Sequence, residues 1–167
     1  MQARGFDESN INLTRFDVVK SIVADFITKR KSDNIGLVVF GAYSFIASPL
    51  TYDEHILSRI VSQLEIGMAG KYTALYESLA QGVNLLKMTK SKSKIAILLT
   101  DGYSTPSVDK VPLQVALDMA KKEGIKVYPI GIGSDNGRDG YNKAVLMKIA
   151  QETGGVAFGA SSATELV

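Results

Sequence analysis

Apolar residues recur along this chain with two periods, and the switches between those periods divide it into helices and strands. Between positions 14 and 30, Phe16, Val19, Ile22, Val23, Phe26 and Ile27 share one face of a 3.6-residue repeat, which predicts a helix. Ile35-Gly-Leu-Val-Val-Phe40 then reads as a strand covered on both faces. After Gly41-Ala42, residues Ser44 to Ala47 read as a short strand returning antiparallel. Thr51-Tyr-Asp-Glu54 has the spacing of a capping box and predicts a helix reaching about Glu65. Past Gly67 and Gly70, Thr73 is placed to cap another helix, whose inner face carries Leu75, Leu79, Val83 and Leu86.

The second half is more regular. Ile95-Ala-Ile-Leu-Leu99 is the most apolar strand, which predicts a central position in the sheet. A helix over 112–123 closes at Gly124, a strand covers Val127 to Ile132, a helix over 143–153 closes at Gly154, and a short strand covers Val156 to Phe158. Pro129 lacks a ladder donor, so one edge of its strand must be unpaired there. This alternation predicts one α/β domain: a doubly wound, mostly parallel, Rossmann-like sheet with helices on both faces and one antiparallel edge strand.

Composition narrows the chemistry. With 167 residues the chain has the length of a single core-bearing domain. The absence of cysteine excludes disulfides, thiol nucleophiles and thiolate-bound zinc. A net charge of +2, with no aromatics among Lys87, Lys90, Lys92 and Lys94, gives no footprint for nucleic acid. The longest apolar run is too short to span a bilayer, and the first residues lack a signal-peptide core, so the chain as given is expected to be soluble.

Ligands of open α/β sheets collect beyond the carboxyl ends of the parallel strands. Asp101 directly follows Leu98-Leu99-Thr100 and so sits at that edge. The helix beginning near Ala74 runs antiparallel to the strand it feeds, which brings Thr73 to the same edge. Two such oxygen donors suit Mg²⁺ and do not suit zinc. Taken alone, the same residues also fit a helix cap and a turn-former. The one histidine, His55, falls in a helix pattern away from this edge.

Ile35–Phe40, Pro49-Leu-Thr51, Gly70-Lys-Tyr-Thr-Ala-Leu75, Ile97-Leu-Leu-Thr-Asp-Gly102 and Val127-Tyr-Pro-Ile-Gly-Ile-Gly133 occur in this order along the chain. In order and spacing they resemble the von Willebrand factor A (VWA) family, and in particular its bacterial Bat-type (BatA-like) aerotolerance proteins. The resemblance covers nearly the whole chain. It implies a protein-binding module without enzymatic activity, built around a metal-ion-dependent adhesion site (MIDAS). Thr73 and Asp101 would supply two of that site's three loops, with Mg²⁺, or Mn²⁺ or Ca²⁺, bridging to an acidic side chain of a protein partner. Tyr43, Lys71, Tyr72 and Tyr103 are the candidate partner contacts around it. It also implies a parent anchored in the bacterial inner membrane with this domain in the periplasm, the membrane being reached only through segments not present here.

The family's first loop, Asp-x-Ser-x-Ser after an opening central strand, has no counterpart here, so an N-terminally truncated domain is expected. In the family's strand order the absent strand lies between Ile35–Phe40 and Ile95–Leu99. Unmet backbone groups cost about 1–3 kcal/mol each, so closure of the sheet across the gap, or strand exchange or addition from another chain, is expected. With two protein ligands, metal binding by this chain is expected to be weak or absent. Three other readings compete. Gly131-Ile-Gly-Ser-Asp-Asn-Gly137 suggests a nucleotide-binding enzyme, but it has one residue too many for the dinucleotide fingerprint. A phospho-receiver would need an early acidic pair that is not present, and an interaction domain that never uses metal remains open.

Overall fold

The computed structural model describes residues 1–4, 6–7, 12–133 and 140–166. Its strands are β1 (Ile35–Phe40), β2 (Ser44–Thr51), β3 (Ile95–Thr100), β4 (Lys126–Ile132) and β5 (Phe158–Ala160). Its helices are α1 (Arg15–Thr28), α2 (Glu54–Gln63), α3 (Leu75–Lys87), α4 (Leu113–Lys122), α5 (Lys143–Thr153) and the short α6 (Ala163–Leu166). The alternating order expected from the two periodicities is present.

Local signals set most boundaries. Thr14 caps α1 through a reciprocal box with Asp17: the Asp17 amide donates to Thr14 Oγ1 at 3.2 Å and the Thr14 amide to Asp17 Oδ2 at 2.9 Å. The hydroxyl bond from Thr14 comes first among the causes that hold the Asp17 carboxyl below its usual range. The cap of α2 is Asp53, which accepts from the amides of His55 and Ile56 at 3.0 Å. Thr51 instead accepts from the Asp53 amide, so the expected box is shifted by two residues and the helix ends at Gln63. Gly154 ends α5 at φ +75°, a left-handed position that strains any side chain.

The sheet is in two pieces. β1 and β2 form an antiparallel pair, with Phe40 opposite Ser44 and Ile35 opposite Thr51. β2 reaches four residues further than the expected Ser44–Ala47. The other piece is parallel, in the order β3-β4-β5. β3 is therefore not central, as its apolarity predicted, but lies at an edge, and β4 is the middle strand. Nor does the sheet close across the gap, because β1 and β3 share no ladder. Pro129 is tolerated because β5 pairs only with Ile130, Gly131 and Ile132 of β4.

Helices cover both faces. Leu75, Leu79 and Val83 of α3 pack with Leu98, Val127, Leu117 and Ile149 on one face. On the other, the first half of α1 places Val18 and Val19 against Ile132 and Ala160, while Ile27 near its end meets Leu57 and Val61 of α2. Gly131 and Gly159 lie opposite each other in β4 and β5, and the Tyr141 ring occupies the space their missing side chains leave. No helix among the described residues is long and apolar enough to cross a membrane.

Candidate functional site

The carboxyl ends of β1 and β3 meet at one rim, joined by the residues that lead into α3. The Ala74 amide donates to the carbonyl of Gly41, just past β1, at 2.6 Å. One residue earlier, Thr73 Oγ1 stands 3.5 Å from the position a Cβ would take on Gly102, just past β3. The Thr73 hydroxyl and the Asp101–Gly102 turn are thus neighbours, although a whole helix separates them in sequence. α3 begins at this rim and leads to β3.

Thr73 does not cap α3. The cap residue is Ala74, which has no side-chain acceptor, and the helix is capped instead from a distant loop. Asp109 accepts from the amides of Tyr76 and Glu77, both at 2.8 Å, and from Ser104 Oγ at 2.7 Å. Thr105 completes the tie, since its hydroxyl accepts from the Thr73 amide at 3.2 Å and its amide donates to the Thr73 carbonyl at 2.8 Å. The Thr73 backbone is held twice, which leaves its side-chain oxygen free of any capping duty. Burial comes first in raising the Tyr76 phenol above its ordinary value, and Asp109 adds to it.

Asp101 is flanked by positive groups. The Met1 amino terminus contacts Asp101 Oδ2, and Arg15 Nη1 lies 3.9 Å from the same oxygen. Burial first, and Arg15 second, lower the amino terminus to about 6, although the Asp101 carboxylate in contact with it favours its charged form. The Arg15 side chain is only 14% exposed and also lies against Gly133.

Of the candidate partner contacts, Lys71, Tyr72, Tyr43 and Tyr103 are all exposed. Tyr72 and Lys71 directly precede Thr73, and Tyr103 follows the Asp101–Gly102 turn. Tyr43 lies just past Gly41 and donates from its hydroxyl to the Met68 carbonyl at 2.6 Å. His55 is exposed on α2. The glycine-rich segment weighed as a nucleotide fingerprint runs onto residues 134–137, which lie outside the described residues. No cluster of three or more metal-binding side chains occurs among the described residues. Sequence reasoning missed Ser104, Thr105, Asp109 and Arg15. The first three were visible only as turn-forming residues after the aspartate.

Comparison with known proteins decides the family, because residues 4–167 match the profile of the von Willebrand factor type A domain. The chain belongs to this family. A protein of Borreliella burgdorferi with no described function is 26% identical over 159 residues, covering 85% of this chain and 46% of that one. The chain therefore spans about half the length of that curated relative. Among solved structures, an aerotolerance-related membrane protein from Bacteroides fragilis superposes with a TM-score of 0.75 at 16% identity, over 99% of this chain and 94% of that one. Proximal thread matrix protein 1 of the mussel byssus, solved with a zinc-occupied MIDAS motif, gives 0.72 at 20% identity, over 98% of this chain and 40% of that one. At such identities the likeness is one of fold. VWA domains are protein-interaction modules and often carry a MIDAS.

Proposed function

We propose that this VWA domain binds another protein at the rim formed by Thr73 and Asp101, without making or breaking covalent bonds. The observation that supports this most is the placement of the Thr73 hydroxyl beside the Asp101–Gly102 turn. A threonine hydroxyl and an aspartate carboxylate at one rim are hard oxygen donors for Mg²⁺, or for Mn²⁺ or Ca²⁺, and an acidic side chain of the partner would fill an open coordination position. Tyr43, Lys71, Tyr72 and Tyr103 surround that position as adaptable contacts. The zinc-occupied motif of the mussel protein supports divalent binding by this fold without choosing the ion.

Two oxygen ligands fall well short of the six of an octahedral cation, so this chain holds metal weakly. A loop of the Asp-x-Ser-x-Ser kind would supply the remaining ligands in a longer parent protein. That parent is anchored in the bacterial inner membrane with the domain in the periplasm, a reading supported by the description of the aerotolerance-related neighbour as a membrane protein.

A Mn²⁺ titration followed by NMR tests the site. Paramagnetic broadening is expected first at the amides of residues 72–74 and 101–103, and Asp101→Asn is expected to abolish it. Broadening that begins elsewhere would remove the rim from consideration. Calorimetry is expected to give a dissociation constant weaker than about 1 mM, and micromolar affinity would contradict the ligand count. A second reading, binding without metal, is favoured by the Arg15 guanidinium 3.9 Å from the Asp101 carboxylate. Under that reading Mn²⁺ broadens nothing at the rim.

A further inference from the structure

The rim opposite Thr73 and Asp101 carries the amino ends of β3 and β4 and the carboxyl ends of α3 and α4. Its charge is one-sided. Lys87 closes α3, Lys121 and Lys122 close α4, and Lys126 opens β4. Lys90, Lys92 and Lys94 lie on the loop between α3 and β3. These elements form one surface: the Lys126 amide donates to the Lys94 carbonyl at 3.1 Å, and Lys87 Nζ lies 4.0 Å from Glu123 Oε1, just past α4.

Part of this charge has a local cause. Lysines in the last turn of α3 and α4 meet the negative ends of those helices. Asp118, Glu123 and Glu152 lie within 4.0 Å of Lys87 or Lys121. Lys90, Lys92, Lys94 and Lys126 have neither a helix end nor an ion pair among the described residues, and all but Lys94 are exposed. Like charges gathered on one surface oppose folding, and nothing within the chain offsets these four. On the side of β1 the same rim is mixed, since Lys29 and Arg30 pair with Asp25 and Asp33. The unpaired charge is therefore concentrated below β3 and β4.

We propose that this surface rests on a membrane of anionic phospholipid, with the lysines at the headgroup phosphates. The deciding neighbour is Met88. It sits between Lys87 and Lys90 and is 82% exposed, the highest value of any large apolar side chain among the described residues. An unbranched apolar side chain at the tip of a cationic loop gains burial by entering a bilayer, and gains nothing from a phosphodiester backbone. All seven cations are lysines, point charges that suit a fluid array of phosphates and lack the flat fork of arginine. No aromatic residue lies among positions 87–94 to stack on bases. The rim that carries Thr73 and Asp101 would then face away from the lipid. No metal is involved, so the proposal stands or falls separately from the reading of that rim.

The test sediments the whole chain, in EDTA and low salt, with vesicles of phosphatidylcholine alone or mixed with phosphatidylglycerol. Binding is expected with the mixed vesicles only, and is expected to be lost at about 1 M salt, where the screening length falls to about 3 Å. Lys90→Gln with Lys92→Gln should weaken it by about tenfold or more. The charge-matched pair Lys71→Gln with Lys110→Gln, on the other rim, should bind like the unaltered chain. All four lysines are exposed, so both pairs keep the fold. Met88→Gln should weaken vesicle binding severalfold. Equal losses in the two lysine pairs would show general attraction of a cationic chain and overturn the proposal. So would an absence of binding to mixed vesicles, or a Met88→Gln variant that binds them unchanged. Tighter binding to duplex DNA than to vesicles at the same salt would show a nucleic-acid surface and overturn the choice of lipid.

Discussion

β3 and β4 lie side by side in one register and differ in what surrounds them. β4 is paired on both sides, and its Val127, Pro129 and Ile132 are fully buried although it contains a proline and a glycine. β3 has the stronger apolar run, yet it is paired on one side and leaves Ile95 and Ile97 about half exposed. Intrinsic apolarity would rank them in the opposite order. Apolarity alone therefore does not rank the two strands, and pairing on both sides is what encloses β4.

The largest effect that would test this contrast lies on β4. Ile132 is completely buried against Val18, Val19, Phe6 and Ala160. Ile132→Ala should lower unfolding stability by about 3 kcal/mol in urea denaturation, through lost transfer energy and the cavity left behind. A loss below about 1 kcal/mol would mean that this side of the sheet is as loosely enclosed as β3, and the comparison would fail.

A smaller effect belongs to the rim. Asp109→Ala removes the acceptor for two amides in the first turn of α3 and should cost about 1–2 kcal/mol. Because Ser104 and Thr105 lie on the same loop, Thr73 should also lose its fixed position. Mn²⁺ broadening at residues 72–74 should then weaken together with stability. Unchanged broadening would show that Thr105 alone holds Thr73 in place.

The contrast between the strands also explains what could be read from the sequence. Element types followed from periodicity because the apolar positions of α1, α3 and β4 answer to burial. Asp101 could be placed because it ends a strand, and Thr73 because it begins the helix running back along that strand. The cap of α3 was misassigned to Thr73 because a capping acceptor can come from a loop more than thirty positions away, as Asp109 does, and local spacing carries no trace of it. Arg15 opened a helix in the sequence with no sign of what it faces. Its place beside Asp101 depends on how α1 crosses the sheet. The central position expected for β3 rested on counting apolar residues, a measure that does not register which strands pair.

Ile97 is the counterpart of Ile132 on the less enclosed strand. In the chain alone its side chain is nearly half exposed, so Ile97→Ala should cost less than about 1 kcal/mol, far below the same change at Ile132. Urea denaturation of Ile97→Ala alongside Ile132→Ala measures both losses. A loss at Ile97 as large as that at Ile132 would show β3 to be as enclosed as β4, and the contrast between the strands would vanish.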